Sequence, residues 1–600
     1  MTDDSTKTVI GMEQELLDLL GPAYAKNFNF WKAIVYSSIL QGGLMALVAL
    51  AFVNAYVYAS EQTWKTTAYT QAIQTPFDIL TSVNITDTHS ITAFPTQGTV
   101  SLDPLRLGNG QWWYIVLLLS TGFVVGLIKV LWSTMVPAAL NALLRPWRER
   151  NDKVPIITTT FPDRIPGFLQ DLVDLKAHDL LLPIAIMITS ALSIGCGASV
   201  GPEAALGAAG TAMGTLLGKL FRRNNQQTKS NCKEDVMERA LKGDNQLDDS
   251  KANLSSGQKF VSFILPDFSG PGEQEKCALD GMAASFGAIF PSQFMAPLMI
   301  FELASHHWFG AGPDRKFPSY VETIARSGIA STVSYAIFVA IKDQTLLSSY
   351  RFPVAMYDLL HFELIYLVYG LFLGIVSGLI GFVGFLCLAV FNLVGSQLNQ
   401  RLNNWGGGFG KISTPCIGGA LVGALCVACP LCLGDGSDQI FVILTMGRQL
   451  GLATLIISGF VKLVCVGISL GFGFVGGPFF PLVLVGVITG SVTSILLPQI
   501  PVILSFACCI VAVPAAIMPG MFTLTVFSGV TFALGGAATS TVFVACIASY
   551  TTVCGMGLIQ SILLRGIRLK REKAAALLAK EMENDAVNGE SYDSESIGLP

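Results

Sequence analysis

The amino-acid sequence predicts an all-α polytopic membrane protein. Of its 600 residues, 52% are hydrophobic and only 13% are charged. The segment Leu463–Leu564 contains no Asp, Glu, Lys, Arg or His, and a water-soluble domain could not solvate such a stretch. Stretches of about 20 apolar residues suffice to span a bilayer. Further segments without Asp, Glu, Lys or Arg are Ala33–Ser60, Gln111–Ile128, Leu180–Pro202, Gly281–Phe301 and Leu364–Gln400.

The N-terminal part of the chain predicts the orientation in the membrane. Residues 1–30 are polar and are expected on the cytoplasmic side. After the first apolar span comes a polar loop at 61–110, which carries the sequon Asn84-Ile-Thr86 and is expected on the non-cytoplasmic side. The next span ends in Arg145-Pro-Trp-Arg-Glu-Arg150. Such a positive flank indicates a cytoplasmic exit.

The rest of the chain is predicted to complete one membrane domain, residues 31–570, of roughly 16–18 helices, many of them shorter than a full span. A polar insertion at 221–275 has few apolar residues and is predicted to be a disordered cytoplasmic loop. The tail, 571–600, is predicted to be cytoplasmic and too short for a regulatory domain. The thirteen cysteines lie mostly in apolar segments and are predicted to act as small hydrophobes, so no metal and no cofactor is expected.

Two short motifs interrupt the apolar sequence, one in each half of the chain. They are Gly197-Ala-Ser-Val-Gly-Pro-Glu203 and Gly476-Gly-Pro-Phe-Phe-Pro481, the second followed by Gly486 and Gly490. Irregular backbone at membrane depth is tolerated only inside protein or beside a polar cavity, and paired broken helices indicate an ion site. A half-helix that begins there directs free N–H groups and a positive dipole end towards that site. The motifs therefore predict an anion as the ligand.

The ordered set of motifs resembles the CLC family of chloride channels and chloride–proton antiporters. The second motif is similar to the family signature Gly-Gly-x-Phe-x-Pro-x-x-x-x-Gly, and the first is similar to the Gly-[Lys/Arg]-Glu-Gly-Pro helix start. Phe161-Pro-Asp-Arg-Ile-Pro166 stands where the family has Gly-Ser-Gly-Ile-Pro, and Lys462 falls on a family lysine. The resemblance covers residues 30–570. It also includes Pro415, Gly418, Gly419, Gly423, Pro430, Gly434 and Gly436.

The resemblance implies a CLC-like inverted repeat of broken and tilted helices, a homodimer, and one anion pathway in each subunit. In the family, the anion is bound by backbone N–H groups, a serine and a tyrosine, and the proton-coupled members use two glutamates. Carried over position by position, the resemblance implies these anion-pathway residues: Asp163, Arg164, Ser199, Val200, Gly201, Pro202, Glu203, Gly477, Pro478, Phe479, Phe480 and Ile559.

Several of these positions depart from the family pattern. The external gating glutamate corresponds to Val200, which can neither carry a proton nor compete with an anion. Glu203 lies three residues further on. Either it acts as a displaced substitute for the gate, or it sits in the first turn of the helix and complements the helix dipole.

The inner proton-carrying glutamate corresponds to Leu303, and its neighbour Glu302 is the possible proton-path residue. One residue along a helix turns a side chain by about 100°, so Glu302 is not expected to face the same path. Because the long charge-free segment offers no other proton carrier, proton coupling is not expected.

The inner anion site also lacks its usual groups. The family serine corresponds to Asp163; either Arg164 pairs with it, or the loop register shifts, or the site is weak, while an alternative is that Asp163 caps the next helix. The family tyrosine corresponds to Ile559. Pro478 has no N–H to donate to an anion, although proline is also a favoured first residue of a helix.

These observations predict a passive chloride or other small-anion channel or transporter that is not proton-coupled. The alternative is a non-conducting, degenerate CLC-like subunit that serves as a dimer partner or scaffold. Gly197-Ala-Ser-Val-Gly201 fits a nucleophile elbow, but that elbow needs a soluble sheet and a histidine partner, so no enzyme is predicted. The formal net charge of −4 does not indicate nucleic-acid binding. Which membrane holds the protein is left open.

Overall fold

The computed structural model describes residues 31–64, 105–148, 161, 181–220, 268, 273–305, 320–342, 362–406, 408–518 and 520–555. The predicted cytoplasmic N-terminus, nearly all of the predicted cytoplasmic insertion and the predicted tail lie outside these residues. So do three of the predicted pathway residues, namely Asp163, Arg164 and Ile559.

The described residues form fifteen α-helices. A π-helical segment, Ile34–Ile39, leads into the first, and another, Thr551–Gly555, continues the last. In chain order the helices are α1 (Leu40–Trp64), α2 (Trp113–Arg148), α3 (Leu181–Gly195), α4 (Glu203–Leu220), α5 (Glu273–Gly287), α6 (Met295–Ser305), α7 (Tyr320–Lys342), α8 (Ile365–Trp405), α9 (Phe409–Ala428), α10 (Ser437–Leu450), α11 (Leu452–Gly471), α12 (Phe479–Leu496), α13 (Val502–Ala515), α14 (Met521–Thr531) and α15 (Gly536–Tyr550).

The lengths and compositions of these helices confirm an all-α polytopic membrane protein. Within the described residues, eight helices are long and apolar enough to cross a bilayer, and α3, α13 and α14 are shorter apolar helices. Helix α8 has 41 residues and is therefore about 60 Å long, at 1.5 Å per residue. A helix of that length exceeds the hydrocarbon thickness of about 30 Å, so it must tilt or extend beyond the bilayer.

Glycine allows α2 and α9 to approach backbone to backbone. A Cβ atom on Gly122 would lie 2.2 Å from the Pro415 carbonyl oxygen, and one on Gly419 would lie 2.0 Å from that of Leu118. The two contacts run in opposite chain directions, so the helices are antiparallel. Lipid tails are as apolar as helix side chains, so helices in a bilayer associate mainly through close packing, which small residues allow.

One buried ion-pair network ties α5 and α7 to the π-helical segment before α1. The Arg326 guanidinium is fully buried and pairs with Asp280 at 2.9 Å and with Glu273 at 2.9 Å. The Ser37 hydroxyl donates to the Asp280 carboxylate at 2.7 Å. Buried charges of this kind are costly unless every one has a partner, and here the partners come from three segments of the chain.

Candidate anion site

Both motifs lie where one helix ends and the next begins. Helix α3 ends at Gly195 and α4 starts at Glu203, while α11 ends at Gly471 and α12 starts at Phe479. Gly197 has φ of +94° and Gly473 has φ of +100°. Glycine adopts this left-handed region without a steric penalty, so it lets the chain leave a helix abruptly. The sequence prediction of two broken helices therefore matches the described backbone.

The two breaks meet through a short antiparallel bridge between Gly201 and Gly477. The Gly201 N–H donates to the Gly477 carbonyl oxygen at 2.7 Å, and the Gly477 N–H donates to that of Gly201 at 2.9 Å. The bridge pairs residues just before the first turns of α4 and α12. It therefore brings two positive helix ends side by side.

The Glu203 carboxylate lies across this junction. Its Oε1 atom accepts a hydrogen bond of 2.6 Å from the Phe479 backbone N–H. A Cβ atom on Gly477 would lie 2.1 Å from Glu203 Oε1, and one on Gly201 would lie 2.2 Å from Oε2. Only 2% of Glu203 is exposed, and within the described part of the chain Oε2 has no hydrogen-bond partner. The side chain of the first residue of α4 thus binds the first N–H of α12.

Val200 is completely buried and packs on the second motif. A Cβ atom on Gly476 would lie 2.6 Å from the Val200 Cβ. The adjoining Ser199 N–H donates to the Ser469 hydroxyl at 3.2 Å, whereas the buried Ser199 hydroxyl has no partner among the described residues. Pro202 is also buried, and α4 begins directly after it.

Pro478 is the N-cap residue of α12, with helical φ and ψ of −88° and −9°. Because proline has no N–H, the first donor of this helix is Phe479. The Phe479 ring packs edge-on against Phe290 at a centroid distance of 5.7 Å and against Phe480 at 6.0 Å. The first turn of α12 is therefore enclosed by aromatic side chains, and its leading N–H is bonded to Glu203.

Residues outside the predicted site set hold the two motifs in place. The buried Lys462 ammonium donates to the carbonyl oxygens of Cys432 at 3.1 Å and Gly434 at 2.6 Å. The Gly434 N–H in turn donates to the Gly197 carbonyl at 2.9 Å. The Ser193 hydroxyl accepts from the Val475 N–H at 3.4 Å. Sequence reasoning singled out Lys462 but missed Ser193 and Ser469, because a serine in an apolar segment carries no distinctive local signal.

Lys129 is a second lysine beside the motifs. Its ammonium donates to the Gly473 carbonyl oxygen, three residues before Gly476, and lies 5.5 Å from the centre of the Phe161 ring. The Phe161 N–H donates to the Ser133 hydroxyl at 3.1 Å. Phe161 opens the segment for which the sequence predicts an inner anion site, so a positive charge lies next to the start of that segment.

Glu302 lies at a different helix start. Its carboxylate accepts from the backbone N–H groups of Phe522 at 2.7 Å and Thr523 at 2.9 Å, and from the Thr523 hydroxyl at 2.6 Å. It therefore caps α14 from the neighbouring helix α6. Both carboxylate oxygens are engaged there.

The known proteins to which the chain is similar are chloride channels and CLC-type transporters. Residues 316–553 match the family model described as voltage gated chloride channel. A crystal structure of a slow cyanobacterial Cl⁻/H⁺ antiporter shares 16% sequence identity with a TM-score of 0.55, covering 91% of this chain and 99% of the other. A eukaryotic CLC transporter shares 12% identity with a TM-score of 0.49, covering 88% and 72%. No curated protein sequence matches the chain.

The fold and the paired motifs define a multi-pass integral membrane protein built from broken helices. Residues 316–553 are similar to the CLC family model, and the fold over most of the chain is similar to that of the cyanobacterial CLC-type structure. The recognition and the fold class predicted from the sequence are confirmed. The fold is therefore of the kind found in CLC anion channels and transporters.

Proposed function

We propose that this protein conducts chloride or another small anion passively across a membrane, by a pathway that passes the paired starts of α4 and α12. The single observation that carries the proposal is the Gly201–Gly477 bridge. It directs two positive helix ends at one buried location, and such ends favour anions. In keeping with the family resemblance, we expect a homodimer in which each subunit has its own pathway.

Two features support transport without proton coupling. Val200 occupies the position that corresponds to the family's gating glutamate, and it carries no titratable group. Glu302, the candidate nearest the inner proton position, has both carboxylate oxygens bound to the start of α14. Because both of its oxygens are bound in this way, Glu302 is poorly placed to exchange protons with a transport path.

The Glu203 carboxylate also has a consequence for the pathway. It is a tethered anion at the N-terminus of α12, so a permeant anion must compete with it for the same electropositive location. Two unit charges 4 Å apart repel by about 4 kcal/mol at an effective dielectric constant of about 20. We therefore propose that anion entry depends on displacing or protonating Glu203, which acts as a gate and does not transport a proton.

Anion flux in reconstituted vesicles tests the proposal. Purified full-length protein is placed in vesicles loaded with potassium chloride, and valinomycin starts the efflux while chloride and pH electrodes record both ions. We expect chloride efflux above that of protein-free vesicles, without stoichiometric proton movement. A pH gradient that drives chloride uphill would contradict passive transport. If chloride, nitrate and fluoride all fail to leave, the chain is the non-conducting subunit.

A further inference from the structure

A cavity of about 530 Å³ with several polar side chains in its walls lies between α2, α8, α9 and the end of α11. Its walls include two lysines, Lys129 and Lys411, together with the amides of Asn399 and Asn403 and the hydroxyl of Thr414. None of the described residues that line it is acidic. The volume lies within the range of about 300–1,000 Å³ that is usual for small-molecule sites.

The cavity lies at the end of the molecule that is predicted to be cytoplasmic. Helix α2 runs towards Arg145 and the positive flank that follows the membrane span, and α9 runs antiparallel to it from Phe409. The start of α9 is therefore on the same side as Arg145. Trp405 at the end of α8 and Phe409 at the start of α9 are 86% and 54% exposed, as expected for aromatic residues at a membrane–water interface.

Two further observations indicate a ligand. Thr414 is 4% exposed and lines the cavity, and its buried hydroxyl has no hydrogen-bond partner among the described residues. A buried hydroxyl without a partner costs free energy unless a ligand or water fills the place. In addition, the Lys129 ammonium, although only 6% of the residue is exposed, reaches the cavity wall where it holds the Gly473 carbonyl.

We infer that this cavity binds a phosphate group, carried either by a small soluble molecule or by the headgroup of a lipid. Two ammonium groups supply positive charge for a multivalent oxyanion, and the amides and the threonine hydroxyl supply further hydrogen bonds to its oxygens. The absence of acidic side chains from the described walls removes the repulsion that such an anion would meet. None of the residues that the sequence predicts for the anion pathway lines the cavity, and the proposed ligand is a phosphate and not a halide.

Binding measurements on the detergent-purified full chain test the inference. The probes are inositol 1,4-bisphosphate and dioctanoyl phosphatidylinositol 4-phosphate, which present similar phosphates without and with acyl chains. Saturable binding of either probe is expected. Equal affinity for the two indicates a soluble ligand, and tighter binding of the lipid indicates a headgroup. Chloride at the same concentration should not displace the probe; displacement would make the cavity a halide vestibule and overturn the inference.

Lysine variants test whether binding depends on the lysines of the cavity or only on the overall charge of the protein. Lys411→Met should weaken binding by about tenfold, the usual worth of one charge-assisted hydrogen bond, and Lys411→Arg should restore most of it. Lys342→Met, at the exposed end of α7, is the matched control and should leave the affinity unchanged. Because Lys129→Met also removes a hydrogen bond to Gly473, Lys411→Met carries the test. Equal affinity in wild type and Lys411→Met, or no binding below 10 mM, overturns the inference.

Discussion

The Glu203 carboxylate and the Phe479 backbone N–H join the two halves of the chain by a hydrogen bond of 2.6 Å. Glu203 is the first residue of α4, so its side chain complements its own helix start, as one of the two sequence interpretations expects. Its carboxylate also binds the first N–H of α12, a position where it can compete with an anion, as a displaced substitute for the gate would. Both properties are therefore present in one side chain, and flux measurements must separate them.

Replacing Glu203 by glutamine tests whether its charge limits anion entry. The amide keeps the size and one acceptor oxygen but removes the negative charge, so the repulsion of about 4 kcal/mol disappears. We expect chloride efflux from vesicles at pH 7.5 to rise by about tenfold or more. Wild-type efflux should rise as the pH falls, because protonation neutralises the carboxyl, whereas Glu203→Gln should respond little. Equal efflux and equal pH response in both proteins would leave Glu203 with only its helix-capping role.

Gly477→Ala should displace the same carboxylate without altering its chemistry. The added Cβ would lie 2.1 Å from Glu203 Oε1 and 2.3 Å from its Cδ, which are atoms of a flexible side chain. The side chain must therefore move away, and we expect efflux to increase and its pH response to weaken. The control is Gly536→Ala, at a position where a Cβ meets nothing within 4 Å. Efflux that is equally high in the control would show that the gain is not specific to Glu203.

Val200→Glu tests the register of the family resemblance. If Val200 occupies the gating position, a carboxylate there should block efflux at pH 7.5 and release the block near pH 5, where a carboxyl begins to protonate. Because Val200 is fully buried against Gly476, a larger side chain alone can disturb the fold. Val200→Gln supplies that control, being of similar size and uncharged. Identical pH profiles of the two variants would mean that the register is wrong.

Glu302→Gln separates a structural role from a proton path. Glutamine can accept at only one oxygen, so α14 loses part of its cap, and we expect the free energy of unfolding to fall by about 1–2 kcal/mol. Chloride efflux for each folded protein should stay unchanged, with no proton movement in either protein. Thr523→Val, which removes one donor to the same carboxylate, should destabilise the protein less. Loss of a measurable proton flux in Glu302→Gln alone would instead place Glu302 on a proton path.

The motifs show how far the sequence could predict the site. Gly197, Gly201, Gly476 and Gly477 act through local backbone conformation and close approach, so their spacing predicted the helix breaks. The bond from Phe479 to Glu203 joins segments that are remote in the chain, and that from Lys129 to Gly473 does the same. No local pattern predicts which carbonyl or carboxylate lies opposite such a group. The helices were predictable from composition, whereas the polar contacts between them were not.

The same limit applied to Arg326 and Asp280, which lie in two different helices, α7 and α5, and pair only in the folded protein. Removing one partner should be severe, because Asp280→Leu leaves the fully buried guanidinium with an incomplete set of acceptors. We expect a loss of about 3–5 kcal/mol in the free energy of unfolding in detergent. The double variant Asp280→Leu, Arg326→Met removes both charges. Its loss of stability should be smaller than the sum of the two single losses, and a double-mutant cycle measures this difference.

Lys342→Met is the control for this comparison, since Lys342 lies at the exposed end of α7. Exposed surface charges contribute about 1 kcal/mol or less, so this variant should change stability little. Additive losses in the cycle would mean that Arg326 and Asp280 act independently, and that Glu273 and Ser37 satisfy the guanidinium without Asp280. A large positive coupling is expected instead, because the buried charges that join α5 to α7 are favourable only as a complete set.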